Sequence, residues 1–383
     1  MRRGRPTTAL CAAALTAVAL LGNACKPAGN AGQLGPGDTG AGATDARSAT
    51  ANPAGPDNPL DRRATAPVPA GFPVTDLEFV DADQGYALFQ RCDQPRACRV
   101  ALGVTLDGGY SWLERSLPFV PQSRVSLRVG LHDEAPNLLL LRAEPIGWFV
   151  SRDYGRTFAQ RPLQPPPLEV NLTGPRYVHR CPVSDPACPP PRPVLAIGPT
   201  GAETARMAFP PVGDLVGLQA GADGRLWAAG REAGAAAVAV SADQGRSWAP
   251  AGSIPLYGVP AGDPPMLAVS ATGADVWLAG DGYGYRRSSD GRWLPVQAMK
   301  DATDLRSAIA LGGDVLLLAG TKGASTVTGD RWVPDAPPEV ASLRDLGGGV
   351  VQGYLASGSA DTVWLCRCRG ADRQWIRVAV AAP

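Results

Sequence analysis

From residue 72 onward, apolar residues come in short runs separated by polar turns rich in Gly and Asp. Leu77-Glu-Phe-Val80 leads through Asp81 to Gly85 into Tyr86-Ala-Leu-Phe89. Leu215 to Gln219 leads through Ala222-Asp-Gly224 into Leu226-Trp-Ala-Ala-Gly230. The same shape recurs at Leu267-Ala-Val269 with Val276-Trp-Leu-Ala-Gly280, at Ala308-Ile-Ala310 with Val315 to Gly320, and at Val350 to Leu355 with Val363-Trp-Leu365. Short β-rich runs bounded by turn residues predict strands and hairpins. No stretch past the leader sustains a 3.6-residue apolar period, so the pattern predicts an all-β chain.

A second pattern is laid over the first. Thr105-Leu-Asp-Gly-Gly-Tyr-Ser-Trp112, Ser151-Arg-Asp-Tyr-Gly-Arg-Thr-Phe158 and Ser241-Ala-Asp-Gln-Gly-Arg-Ser-Trp248 spell hydroxyl, x, Asp, x, Gly, x, hydroxyl, aromatic. Ser288-Ser-Asp-Gly-Arg-Trp293 is a shortened copy. The four Asp are residues 107, 153, 243 and 290, at steps of 46, 90 and 47, so the middle gap holds two periods. A degenerate counterpart, Gly198-Pro-Thr-Gly201, falls in that gap after Val194-Leu-Ala-Ile197. Weak copies follow at Thr328-Gly-Asp-Arg-Trp332 and Gly370-Ala-Asp-Arg-Gln-Trp375, which makes seven units. Dividing residues 72–383 among them gives about 45 per unit, the length of a four-stranded propeller blade. The sequence therefore predicts a seven-bladed β-propeller of four-stranded antiparallel blades, with six or eight blades as alternatives.

In such a turn the Asp carboxylate (Asp107, Asp153, Asp243, Asp290) accepts backbone N–H groups further along. The hydroxyls Thr105, Ser111, Ser151, Thr157, Ser241, Ser247 and Ser288 bond across it. Gly109, Gly155, Gly245 and Gly291 supply the left-handed backbone. Trp112, Phe158, Trp248 and Trp293 wedge between adjacent sheets. Carboxylates held one per blade around a rim cannot converge on one substrate, so the motif reads as structural and no catalytic residue is assigned from it.

The motif resembles the Asp-box, or BNR repeat, of sialidases and many non-enzymatic propellers. That resemblance places the box at the hairpin of the third and fourth blade strands, on the face away from a sialidase active site. The unit Val74-Thr-Asp-Leu-Glu-Phe-Val-Asp-Ala-Asp-Gln-Gly-Tyr-Ala87, followed by the first box, is similar to the photosystem II assembly and stability factor family. That family's propellers are seven-bladed and act by binding proteins. The resemblance runs from about residue 72 to 383 and is clear in three or four blades. A sialidase would need three arginines around a substrate carboxylate, a carboxylate-activated Tyr and an Asp acid/base. The aromatic-Arg-Ile-Pro stretch that precedes the first box in sialidases has no match in Arg62 to Pro69 or Gly71-Phe-Pro-Val74.

The N-terminus carries different information. Arg2, Arg3 and Arg5 precede an apolar run from Leu10 to Leu21, too short to span a bilayer and typical of an export signal over residues 1–24. Leu21-Gly-Asn-Ala-Cys25 resembles a bacterial lipobox, with the Leu four rather than three before the Cys; the resemblance makes Cys25 the lipid attachment site. Cleavage after Ala24 to give a soluble secreted protein is the alternative. Residues 26–70 are Gly, Ala, Pro, Asn, Asp and Thr with almost no large apolar side chain, which predicts a disordered tether before a propeller over 71–383.

Loss of the leader removes three Arg and no acid, moving the formal charge from +1 to −2, so nothing suggests a nucleic-acid binder. Apart from Cys11 and Cys25, the cysteines fall in three close pairs: Cys92 with Cys98, Cys181 with Cys188, and Cys366 with Cys368. In an exported chain these are disulfide candidates. A bond between Cys366 and Cys368 would need a turn or bulge in a regular strand. With two His in the chain and no zinc spacing around His179, Cys181 and Cys188, no metal and no cofactor are expected.

The function expected is a non-catalytic, membrane-tethered platform that binds an envelope protein or glycan. It would be a monomer, with the membrane met through the lipid alone. A sialidase-like hydrolase or a non-catalytic glycan-binding propeller is the alternative. The irregular segments are the expected contacts: the Cys92–Cys98 loop, the Pro182 to Pro193 insert with Cys188, and Tyr283-Gly-Tyr285 with Arg286 and Arg287.

Overall fold

The computed structural model describes residues 60–94, 97–131, 135–179, 194–232, 234–256, 263–333, 335–369 and 372–383. Among the described residues, 28 strands form seven sheets, six pairing their strands in chain order and the seventh adding Asp61–Thr65 beside the last strand, Asp372–Ala381. Blade 1 is Val74–Phe79, Gly85–Gln94, Ala97–Thr105 and Leu113–Arg115. The innermost strands of blades 2, 4, 5, 6 and 7 are Val125–Val129, Asp214–Ala220, Met266–Val269, Leu305–Gly312 and Val340–Gly347. Blade 3 contributes Tyr177–His179, Val194–Ile197 and Glu203–Met207. The architecture is the seven-bladed antiparallel β-propeller that the repeat count predicts.

A meander of this kind sorts its turns onto two faces. The first–second turns and the boxes share one face. The second–third hairpins share the other, and the Cys92–Cys98 disulfide closes the one in blade 1. Gly198 to Ala202 joins two strands of blade 3 as a tight turn, with Gly201 N donating to Gly198 O. The Pro182 to Pro193 insert and the Cys181/Cys188 pair lie outside the described residues.

The core is not central. It is a series of apolar wedges between neighbouring blades. Val80, Leu88, Leu102 and Val104 of blade 1 meet Leu127, Leu139, Leu141 and Phe149 of blade 2. Trp227 and Val238 of blade 4 meet Leu267 and Leu278 of blade 5. Trp277 of blade 5 meets Leu316, Leu318 and Val327 of blade 6. Each blade thus buries both faces, which explains the near-continuous apolar second strands such as Val315–Gly320.

Between these wedges, one side chain of a blade repeatedly caps a backbone group of the next. Gln90 accepts from Val125 N at 2.7 Å and donates to Val125 O at 2.6 Å. Gln219 accepts from Val269 N, and Ser307 accepts from Leu343 N. Gln352, fully buried, accepts from Phe79 N at 2.9 Å and donates to Leu77 O at 3.2 Å, joining blade 7 to blade 1.

Three expectations are corrected. The tether does not extend to residue 70: Asp61–Thr65 is a strand lying parallel to Asp372–Ala381 on the outer edge of blade 7, and Ala64, Ala66 and Val68 are buried. The apolar content of 60–72 is low because small residues suffice to fill that seam. Cys366 and Cys368 are joined within an unbulged strand; side chains at i and i+2 share a face, and the Cα atoms are 5.3 Å apart, inside the disulfide range. In blade 7 the predicted first and second strands are the second and third. The innermost strand, Val340–Gly347, was hidden by its polar Ser342, Arg344 and Asp345.

The closure at blade 7 gives a direct test. Gln352→Met keeps the shape but leaves buried Phe79 N–H without its acceptor, so urea denaturation is expected to show a loss of about 2–3 kcal/mol. Exposed Arg331→Ala should change stability by less than about 0.5 kcal/mol.

Candidate functional site

The boxes are built as the sequence implies, with more bonds than it showed. In the first, Asp107 Oδ1 accepts from Ser111 N at 2.9 Å and from Thr105 Oγ1 at 2.8 Å, and Oδ2 accepts from Ser111 Oγ at 2.6 Å. Thr105 Oγ1 in turn accepts from Gly109 N at 2.8 Å. Asp153 repeats this with Ser151, Thr157 and Gly155, and Asp243 with Ser241, Ser247 and Gly245. Asp290 accepts from Ser288 Oγ and from Arg292 Nε.

These bonds hold the carboxylates ionised. The hydroxyl bonds from Thr157, Ser247 and Ser288 lead in bringing Asp153, Asp243 and Asp290 down to about 2. Burial pushes Asp107 up, but the bonds from Ser111 and Thr105 outweigh it and leave it lowered. Each box lies in a different sheet and its carboxylate is committed to its own turn. The residues serve as hairpin clamps.

Two properties of the boxes were not legible. The residue before the box glycine is also left-handed, at φ 62° for Tyr154 and 61° for Gln244, a conformation non-glycine residues seldom take. The glycine itself seats each box on the preceding blade. A Cβ on Gly109 would lie 2.5 Å from Val378, and one on Gly245 2.5 Å from Met207. The closing indoles complete the contact: Trp248 and Trp293 donate to Ala208 O and Ala251 O of the blade before.

The Tyr283–Arg287 segment is not a contact loop. It is the third strand of blade 5, with Tyr283 buried. The Arg286 and Arg287 guanidiniums lie over the buried indoles of Trp277 and Trp227, at 5.9 and 5.0 Å. Alternation along the strand sends the two guanidiniums to opposite faces of the sheet, each against an indole.

The open space lies elsewhere. A channel of about 1,070 Å³ follows the innermost strands, walled by Leu215, Val216, Leu218, Met266, Leu267 and Ile309. Arg306, at the start of the blade 6 inner strand, is exposed, lines this channel and makes no ion pair among the described residues. At the blade 7–blade 1 seam, Tyr354 OH donates to Glu78 Oε2 at 2.8 Å, and Arg344 pairs with the same carboxylate. Burial pushes Glu78 and the Tyr354 hydroxyl up. Asp76, two residues before Glu78, is raised to about 6 by burial, with the Glu78 charge adding to it. No motif marks these residues, because they are brought together from three strands.

No family model matches this chain, and no curated protein matches it. Among solved structures it is similar to YCF48 bound to D1 peptide, with a TM-score of 0.41, 14% identity, and coverage of 84% of this chain and 96% of that one. It is also similar to YCF48 from Cyanidioschyzon merolae, with a TM-score of 0.41, 13% identity, and coverage of 79% and 97%. The GH74 xyloglucanase from Xanthomonas campestris has a TM-score of 0.28 at 18% identity, covering 78% of this chain and 46% of that one.

Acid titration should separate two sets of carboxylates. Depressed groups such as Asp153 and Asp243 contribute stability that is present above the unfolded carboxylate range and is lost as pH falls from about 4 to about 2. Raised Asp76 acts with the opposite sign, costing stability as pH rises from about 4 to about 6. Asp76→Asn is therefore expected to flatten the unfolding free energy over that interval. At pH 7 it should raise stability by about 1–2 kcal/mol, allowing for partial exposure.

Proposed function

We propose that this propeller is a protein-binding platform, held to a membrane of the bacterial cell envelope by lipid on Cys25. The observation that carries the reading is the central channel. Val216 is exposed along it, Leu218, Met266 and Ile309 are half-buried there, and Arg306, which makes no ion pair among the described residues, is its exposed cation. An apolar surface left in water is a recognition surface when it is concave and edged by charge. A partner's extended segment with apolar side chains and an acidic group satisfies both the wall and Arg306. Support for the tether comes from the Leu21-Gly-Asn-Ala-Cys25 pattern and the composition of residues 26–59.

A second reading has its own observation. The Tyr354–Glu78 pair is a tyrosine hydrogen-bonded to a carboxylate, next to Asp76, the arrangement a sialidase-like hydrolase would use. Of the three arginines such chemistry needs, Arg344 touches the pair. Turnover of a fluorogenic sialoside, abolished by Tyr354→Phe, would establish this reading in place of the platform.

For the platform, a photo-crosslinking residue at Val216, which is 38% exposed in the channel, should capture a defined protein from envelope extracts. Arg306→Glu is expected to lower that capture about tenfold. Equal capture from a crosslinker at exposed Leu294, outside the channel, would refute the assignment. Mass analysis of the mature N-terminus should find acylated Cys25; an unmodified Cys25 would remove the lipid anchor from the proposal.

A further inference from the structure

The seventh blade has a site that does not depend on the channel. In blades 1, 2 and 4 the box loop fills the space against the preceding blade, with Gly109 on Val378, Gly155 on Leu102 and Gly245 on Met207. Blade 7 has no such loop. Thr362–Arg369 pairs with Asp372–Ala381 up to Arg369 opposite Asp372. Blade 6 has an equally short hairpin, but there Asp330 accepts from Ala298 N and Trp332 donates to Ala298 O, bridging to blade 5. In blade 7 the indole makes no such bridge: Arg373 reaches Asp335 instead, and Trp375, 7% exposed, packs on Leu317 of blade 6 with its indole N–H buried and without a partner.

What remains is a groove of about 1,290 Å³, with Trp375, Trp364, Gln374 and Pro337-Pro338 along it and the backbone of Gly348-Gly349 at its edge. Its arginines are already matched. Arg367 pairs with Asp83, Arg373 with Asp335 and Arg377 with Asp61, while Glu339 accepts from Trp364 Nε1 at 3.1 Å. An anionic ligand would have to break one of these pairs, and a neutral one need not. Dense donors and acceptors beside flat apolar surfaces suit a polyhydroxylated ring, whose C–H faces stack while its hydroxyls bond at the edge.

We propose that this box-less groove of blade 7 binds a neutral oligosaccharide, with Gln374 as a hydrogen-bonding group, Trp364 as the stacking surface and the indole of Trp375 in the groove lining beside them.

The test uses the intact protein titrated with defined neutral cello-, xylo-, malto- and chito-oligosaccharides, with oligogalacturonate as the acidic comparison. The readout is the indole N–H resonance of Trp375, identified by its loss in Trp375→Phe. At least one neutral sugar is expected to shift that resonance saturably. Gln374→Ala, at an exposed position, should weaken binding about tenfold without changing the unfolding midpoint. Oligogalacturonate should bind at least about tenfold more weakly than the neutral sugar. The proposal is overturned if no neutral sugar moves the resonance, if Gln374→Ala leaves affinity unchanged, if the acidic sugar binds equally well, or if only a protein from envelope extracts moves it.

Discussion

Everything in this ring depends on how it closes. Seven wedge-packed sheets are stable only if the last presses on the first, and here an N-terminal strand secures that contact. Asp61–Thr65 pairs along the outer edge of blade 7, while Arg62 reaches back to Gly108 O in the first box at 2.7 Å and stacks on Tyr110. One strand thereby binds blade 7 through its ladder and blade 1 through its side chain. Gln352 and the Arg344–Glu78 pair join the same two blades nearer the axis.

The other joints share a simpler logic. A side-chain amide or hydroxyl from one blade satisfies a backbone N–H on the inner strand of the next, where no strand partner exists. Gln90, Gln219 and Ser307 do this at three joints. On the box face the same joints are fixed by glycines pressed against the neighbouring blade. The boxes are thus devices of assembly. Their carboxylates are committed to hydrogen bonds within their own turns.

Much of the fold was legible because its signals are local. Turn residues and apolar runs recur at a blade-length period, and each box reports its own hairpin through residues within eight positions. The polar inner strand of blade 7 was not legible. Arg344 and Asp345 look like a loop until Glu78 and Tyr354, more than 260 and about ten residues distant along the chain, supply the partners that let Arg344 sit on a strand. Tyr283 to Arg287 misled for the converse reason: aromatic and basic residues suggest a contact loop, but Trp277 on the adjacent strand and Trp227 in the preceding blade offer indole faces to the guanidiniums.

The sequence alone determined the class, the blade count, the hairpin chemistry and the Cys92–Cys98 pair, since each rests on residues close together along the chain. Tertiary structure decided that residues 61–65 belong to the ring, that Asp76 is buried enough to hold its proton to about 6, and that Arg306, exposed and with no ion pair among the described residues, lines the channel along the inner strands. It also decided that the hairpin of blade 7, which turns without a box loop, borders a groove. Each of these depends on what a neighbouring blade presents or withholds. That information appears only when sheets tens to hundreds of residues apart are brought into contact.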